Sequence, residues 1–215
     1  MNKLKLALQK KGRLSEKSLE LIRECGIRLN NGSRKLLSVA SDFPLEIMYL
    51  RDDDIPRYVS DGVADIGIVG ENVVSEEGEK VDMRERLGFA RCRMSLAVPK
   101  SMDYSGAQFF QGKKIATSYP NILRAYFNEQ NIDAEIHEIS GSVEIAPGIG
   151  LSDGIFDIVS SGSTLISNGL KEVERVMDSE AVLISKPQLA EDKAYLLSKL
   201  LFRIRAVNKS RDNKY

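Results

Sequence analysis

The stretch Ser60-Asp61-Gly62-Val63-Ala64-Asp65-Ile66-Gly67-Ile68-Val69-Gly70 decides how the rest of this sequence reads. Its last part, Asp65–Gly70, is a near-continuous apolar run, the pattern of a strand buried on both faces in the middle of a sheet. Asp61-Gly62 stops a short helix that starts at Asp54-Ile55-Pro56, where Asp54 can cap and Pro56 is tolerated in the first turn. Helix, glycine stop and buried strand in that order belong to an α/β fold. A near copy follows later: Ser152-Asp153-Gly154-Ile155-Phe156-Asp157-Ile158-Val159 matches Ser60–Gly67 at Ser, Asp, Gly, Asp and Ile, five of eight positions. Two readings of the echo stay open. Helix-to-strand junctions converge on such residues, or the chain holds two lobes of similar topology facing each other across a cleft. Ligands of open α/β sheets bind at the carboxyl ends of the strands, where such a cleft lies.

Outward from this stretch the alternation continues. Lys3–Leu8 reads as a strand, followed by the polar turn Gln9-Lys10-Lys11-Gly12-Arg13. A helix follows, with Ser15 as its N-cap, Leu14, Leu21, Ile22 and Cys25 on one face, and Gly26 as its stop. Leu45–Leu50, Arg93–Val98, Lys114–Thr117, Ala134–Ile139, Ile155–Ser160 and Ala181–Ser185 read as strands, and Asn121–Gln130 as a helix. The chain closes on a long helix with Leu197, Leu200, Leu201, Ile204 and Val207 at helical spacing, a core or subunit-contact face.

Composition removes several classes of function. With 215 residues the chain holds one large domain or two small ones, and 42% hydrophobic with 29% charged residues excludes disorder and fibres. Basic and acidic side chains balance at 31 each, which argues against a nucleic-acid-coating surface. Two cysteines and one histidine leave no material for a Cys/His zinc site or a disulfide framework, so a reducing, cytoplasmic setting is expected. No apolar run approaches the roughly 20 residues of a membrane span, and the alternating Met1–Leu8 lacks a signal-peptide core. His137, between Ile136 and Glu138, reads as a surface residue and supports no catalytic triad.

The strongest chemical signal is Asp157-Ile158-Val159-Ser160-Ser161-Gly162-Ser163-Thr164-Leu165. A buried strand opens into small and hydroxylated residues and then a short helix ending at Asn168-Gly169. Small side chains let a ligand approach the backbone, so N–H groups and hydroxyls of Ser160, Ser161, Gly162, Ser163 and Thr164 can converge on a phosphate monoester. The competing account is a polar turn with Thr164 as N-cap. Asp157 can accept from ribose hydroxyls or cap the backbone. Lys10-Lys11-Gly12-Arg13 and Arg51 stand at strand ends, where they can neutralise phosphate oxygens, Arg bidentately, or lie solvated on the surface. Asp52, Asp53 and Asp54 read as exposed acids and a helix cap rather than magnesium ligands. Gly70-Glu71-Asn72, Thr117-Ser118-Tyr119 and Gly141-Ser142-Val143-Glu144 are polar strand ends too, each also explained by capping.

In these motifs the sequence resembles the ATP phosphoribosyltransferase family, which opens histidine biosynthesis. The resemblance runs over essentially the whole chain. It rests on Gln9–Ser15, Arg51–Pro56, Asp65–Asn72, Cys92–Ala97, Ile115–Pro120, Gly141–Pro147 and Asp157–Leu165, closing with Asn168-Gly169-Leu170. It implies a two-lobed fold like that of periplasmic binding proteins, with a central ligand cleft; lobe one spans 1–95 plus 182–215 and lobe two 96–181. The implied reaction is attack by adenine N1 of ATP on the anomeric carbon of phosphoribosyl pyrophosphate, releasing pyrophosphate, with Mg2+ as cofactor. Ser161 to Thr164 would then hold the 5′-phosphate, with Ser160 also among the residues binding phosphoribosyl pyrophosphate and Asp157 and Glu144 on the ribose hydroxyls. Lys10, Arg13 and Arg51 would stabilise the leaving charge, and Gly12, Glu71 and Tyr119 would shape the ATP site. Expected partners are a second copy in a dimer-based homo-oligomer or a histidyl-tRNA-synthetase-like regulatory subunit, with no nucleic acid and no membrane. The last residues resemble the junction helix of the family's long form, and the chain stops where a C-terminal regulatory domain is expected to begin. Other readings are a cytosolic two-lobed solute-binding or sensor module, and a subunit active only with a regulatory partner.

Overall fold

The apolar runs and helical faces resolve, in a computed structural model of the protein, into twelve strands and six helices among the described residues, 3–30 and 36–212. The first stretch holds β1 (Leu4–Gln9), α1 (Arg13–Glu24), β2 (Leu29–Asn30), β3 (Leu37–Ala40) and β4 (Leu45–Leu50). It continues with α2 (Ile55–Ser60), β5 (Ile66–Gly70), α3 (Glu71–Glu77) and β6 (Asp82–Arg86). The middle holds β7 (Cys92–Pro99), β8 (Lys114–Thr117), α4 (Pro120–Glu129) and β9 (Glu135–Glu138). After it come β10 (Gly154–Val159), α5 (Ser163–Ser167) and β11 (Leu170–Ser179). The chain then returns through β12 (Ala181–Ser185) and α6 (Glu191–Asp212).

These elements form two units, Met1–Ala90 with Glu180–Tyr215, and Arg91–Ser179. The divisions fall before the expected 95/96 and 181/182. Cys92–Pro99 pairs along its length with β10 and β11, so it cannot be shared between sheets. The first unit has a seven-stranded sheet in the order β2-β3-β4-β1-β5-β12-β6, and the second a five-stranded sheet in the order β11-β7-β10-β8-β9. In the first, β1 lies parallel to β4 and β5, and β12 runs antiparallel to β5. In the second, β8 lies parallel to β9 and β10, and β7 runs antiparallel to β10. The same four-strand core is therefore built twice.

The repeat has a different register from the sequence echo. Asp65, just before β5, donates its N–H to Lys5 O (2.9 Å) and accepts the Lys5 N–H on Oδ2 (2.8 Å). Asp153, just before β10, makes the same pair with Lys114, at 2.7 and 2.8 Å. Asp65 therefore corresponds to Asp153, not to Asp157 as the eight-residue match implies. Two 3-10 turns, Val143–Ile145 and Pro147–Ile149, precede the second copy in place of the expected helix.

Burial explains why the strands are apolar. Every residue of β5 is buried, because the central strands of the first sheet are covered on both faces. Leu4, Leu6 and Leu8 pack with Leu21 and Ile22 of α1 and Leu197, Leu200 and Ile204 of α6. Ala7, Ile184 and Val182 pack on the other face with Ile55 and Val59 of α2. Each fully buried Leu or Ile contributes about 1.5–3 kcal/mol, which makes these faces the main stabilising element. In the second unit, Met94, Leu96 and Phe156 pack with Leu123 and Phe127 of α4. Ala97, Ile155 and Val159 pack on the opposite face with Leu165 of α5.

Several local expectations change. Gly12, with φ 100°, holds the N-cap position of α1, and Ser15 is buried inside the helix instead of capping it. Asp54 precedes α2 but makes no side-chain cap bond, and Thr164 lies inside α5, whose N-cap is Gly162. His137 is half-buried rather than a surface residue. No helix among the described residues is long and apolar enough to cross a membrane.

Candidate functional site

In a parallel sheet the carboxyl ends of adjacent strands meet on one rim, and each chain reversal there starts a helix. In the first unit β4, β1 and β5 are neighbours, so Arg51, Lys10–Arg13 and Glu71 come to the same rim. The Lys10 N–H donates to Leu50 O at 2.9 Å, which joins the first two of these turns directly. Lys10, Lys11, Gly12 and Arg13 are all exposed. A side chain at Gly12 would meet no atom within 4 Å, so the backbone at the start of α1 is open to a ligand. Arg51 is held by a local fork: Nε and Nη2 donate to Asp53 at 3.2 and 2.9 Å. That pair is exposed, and a competing phosphate can displace it at small cost.

Glu71, one of the residues expected at the nucleotide site, is ion-paired within its own unit. Its carboxylate accepts both Arg86 Nη1 and Nη2, and Glu180 lies 3.7 Å from the same guanidinium. With its side chain only 12% exposed, Glu71 is committed to tying α3 to β6. Tyr119 is also constrained. It precedes α4, its N–H donates to Thr117 Oγ1 at 2.8 Å, and its ring packs against the core of the second unit.

The rim of the second unit gathers the other predicted residues. Strands β9, β8 and β10 are neighbours, so the turns after Glu138, Thr117 and Val159 adjoin. Ser118 Oγ donates to Ile139 O at 2.6 Å, linking two of them. Past β10 the chain turns at Gly162, whose φ of 80° lies in the left-handed region that favours glycine, and enters α5. Ser161 and Ser163 share a hydroxyl hydrogen bond of 2.9 Å, and Ser160, Ser161, Ser163 and Thr164 are exposed. The first N–H groups of a helix have no partner within it, so the start of α5 presents donors.

Asp157, three residues before Ser160, faces away from the phenyl core and is partly buried. Burial pushes its carboxyl up to about 6, and the nearby charge of Glu144 adds to the rise. The Ile158 N–H, donating to Oδ1 at 2.7 Å, works against it. The charge of Glu144, 13 positions earlier in the chain, is thus felt at Asp157. Two carboxylates beside donor-rich turns can accept the vicinal hydroxyls of a sugar.

Among the described residues no group of three or more His, Cys, Asp or Glu gathers as a metal site. A cavity of about 500 Å3 in the first unit is lined by Phe43, Pro44, Tyr195, Leu196, Lys199 and Arg203. It lies at the amino end of β4, the wrong edge for a ligand of this fold. One contact had no announcement in the sequence: Arg93 Nη1 donates to Ser160 O at 3.1 Å. The only signal for it is pairing register, since Arg93 stands opposite Val159 in the antiparallel ladder.

Comparison with known proteins bears on the same residues. The HisG family, ATP phosphoribosyltransferase, matches residues 51–206. The ATP phosphoribosyltransferase of Cytophaga hutchinsonii is 61% identical over 212 residues, 99% of this chain and 74% of the relative. The ATP phosphoribosyl transferase (HisG:HisZ) complex from Thermotoga maritima superposes with a TM-score of 0.82 at 30% identity, covering 95% of this chain and 97% of that one. The substrate-binding protein of an amino-acid ABC transporter superposes with a TM-score of 0.62 at 12% identity, over 96% of this chain and 93% of that one. The last likeness concerns the fold alone and makes it periplasmic-binding-protein-like.

Proposed function

Because this chain belongs to the ATP phosphoribosyltransferase family, transferases of the first step of histidine biosynthesis, we propose how its residues divide the work of joining ATP to phosphoribosyl pyrophosphate. The observation that carries the assignment is the exposed loop Ser160–Thr164 at the end of the strand that carries the partly buried Asp157. The loop takes the 5′-phosphate through backbone N–H groups and hydroxyls, with Gly162 leaving room for the anion. Asp157 and Glu144 accept the ribose hydroxyls. With its carboxyl at about 6, Asp157 is ionised at neutral pH and binds the sugar as an acceptor.

Displacement at the anomeric carbon passes through a cationic sugar and leaves pyrophosphate behind. Lys10, Arg13 and Arg51 stabilise that leaving charge, Arg51 exchanging Asp53 for phosphate oxygens. Mg2+, arriving with the substrate phosphates, would add neutralising charge on the pyrophosphate. Gly12 lets the ATP phosphates approach the start of α1, and the Tyr119 turn borders the nucleotide. Adenine N1 is already a lone-pair nucleophile, so no general base is required.

We take the cytoplasm as the compartment, in keeping with the free thiols of Cys25 and Cys92. A second copy or a histidyl-tRNA-synthetase-like regulatory subunit completes the assembly. The test is to mix the chain with ATP, phosphoribosyl pyrophosphate and Mg2+ and follow phosphoribosyl-ATP by absorbance, with and without the regulatory subunit. Product formation upholds the assignment; no product in either mixture overturns it.

A further inference from the structure

Cys92–Ala97 contributed to the family resemblance, yet none of its residues has a role in the chemistry above. Strand β7 runs antiparallel to β10 with Arg93 opposite Val159 and Ser95 opposite Asp157. Residues 93, 95 and 97 therefore share the sheet face on which Ala97 and Val159 pack with Leu165 of α5. On that face Glu172 reaches across from β11. Its Oε1 and Oε2 accept Arg93 Nε and Nη2 at 2.5 and 2.6 Å, and Ser95 Oγ donates to Oε1 at 2.7 Å. The pairing of β11 with β7 shifts register between Glu172 and Glu174, a bulge of the kind that re-aims a side chain. Both partners are 27% exposed, and Ser95 is buried.

A guanidinium fixed on one side by a two-point fork has little freedom left. Its remaining Nη1 donates to the carbonyl of Ser160, the first residue beyond β10. The Ser160 carbonyl and the Ser161 N–H belong to one trans peptide plane and point in opposite directions. Holding the carbonyl toward Arg93 therefore turns the Ser161 N–H the other way. The positive charge of Arg93 is balanced by Glu172, so this arrangement supplies orientation far more than attraction.

We infer that Arg93, clamped by Glu172 and Ser95, is a positioning residue for the Ser160–Thr164 loop, setting the peptide whose N–H meets the 5′-phosphate. This rests on the assignment of that loop to the 5′-phosphate. A direct phosphate contact by Arg93 predicts the opposite response to freeing it from Glu172, and the two can be told apart.

The experiment measures ribose 5-phosphate binding by calorimetry, and KM for phosphoribosyl pyrophosphate and ATP, on the full chain in its active assembly. The variants are Arg93→Met, Arg93→Lys, Glu172→Gln, the pair Arg93→Met with Glu172→Met, and a loop control, Ser161→Ala with Thr164→Ala. The double Met variant leaves no unpaired half-buried carboxylate, so it keeps the fold where the single variant loses it. Expected is about a tenfold loss of ribose 5-phosphate affinity and a matching rise in that KM for both Met variants, the effect of about one charge-assisted hydrogen bond. The ATP KM stays within about twofold, because the Ser160 peptide is assigned to the 5′-phosphate and not to the nucleotide, Arg93→Lys recovers part of the loss, and Glu172→Gln also weakens binding. Tighter binding in Glu172→Gln, or Met variants that bind like the unaltered chain while the loop control does not, overturns the role of Arg93 and leaves the loop assignment standing. Equal losses for both substrates in the double Met variant reduce Arg93 to a structural residue. Full affinity in the loop control removes the loop assignment and this inference with it.

Discussion

Replacing Asp157 by Asn separates what that carboxylate does for binding from what it costs the fold. The ordinary aspartate value is 3.8, and in the folded chain burial, aided by Glu144, raises it to about 6. At about 1.4 kcal/mol per pKa unit, the folded state is penalised by about 3 kcal/mol once Asp157 is ionised in both states. The sign follows from proton uptake. Between pH 3.8 and about 6 the folded chain holds a proton that the unfolded chain has released, so stability falls as pH rises through that window. Asn keeps the oxygen that accepts the Ile158 N–H and removes the charge. Urea unfolding of both proteins across pH 3.5 to 7.5 should show Asp157→Asn gaining nothing at the acid end. The advantage should grow from pH 4 upward and level off above 6 at up to about 3 kcal/mol. The same variant should bind phosphoribosyl pyrophosphate poorly, since a neutral amide accepts sugar hydroxyls less well. A variant less stable at every pH, or one whose advantage does not change with pH, refutes the burial argument.

Three further substitutions probe other parts of the chain. Arg51→Ala should lower turnover by about tenfold or more while shifting unfolding by less than about 1 kcal/mol, since its side chain is 80% exposed and its only described ion pair is local; unchanged steady-state rates would remove Arg51 from the mechanism. Gly162→Ala has room for its methyl, 3.9 Å from Val159 Cγ1, but not for the left-handed backbone. It should cost about 1–2 kcal/mol in thermal unfolding and raise KM for phosphoribosyl pyrophosphate. Lys193→Met leaves Asp65, 10% exposed, without the ammonium that stands 2.7 Å from its Oδ2. A loss of about 3 kcal/mol is expected in urea unfolding, with KM values unaltered because Asp65 joins β1 at its amino end, away from the rim; changed KM values would show that this edge communicates with the site.

What was legible in the sequence is what short-range pattern encodes. Leu45–Leu50, Lys114–Thr117 and Ala181–Ser185 are strands at the bounds their residues suggest, because strands covered on both faces have few polar options. The turn at Gly162 and the helix stop at Asn168-Gly169 were equally readable, since left-handed positions select glycine. Strand β11 was not. Leu170–Ser179 is rich in Lys, Glu, Arg and Asp, as suits a sheet edge, and its pattern does not separate it from a loop. The echo of Ser60–Gly67 in Ser152–Val159 was visible but misaligned, because the real repeat is carried by hydrogen bonds of Asp65 and Asp153 to neighbouring strands.

The sequence by itself determined the α/β class, the strands that carry the rim, and the residue types gathered at their ends, all of which follow from local periodicity and turn chemistry. Only the tertiary structure decided what those side chains are free to do. It commits Glu71 to Arg86, 15 positions away, and fixes Arg93 between Glu172 and the Ser160 carbonyl, 79 and 67 positions away. It also brings Glu144 and burial to bear on Asp157. The reason is physical: ion pairing and desolvation depend on distance through space, and strand pairing sets that distance without leaving a periodic trace along the chain.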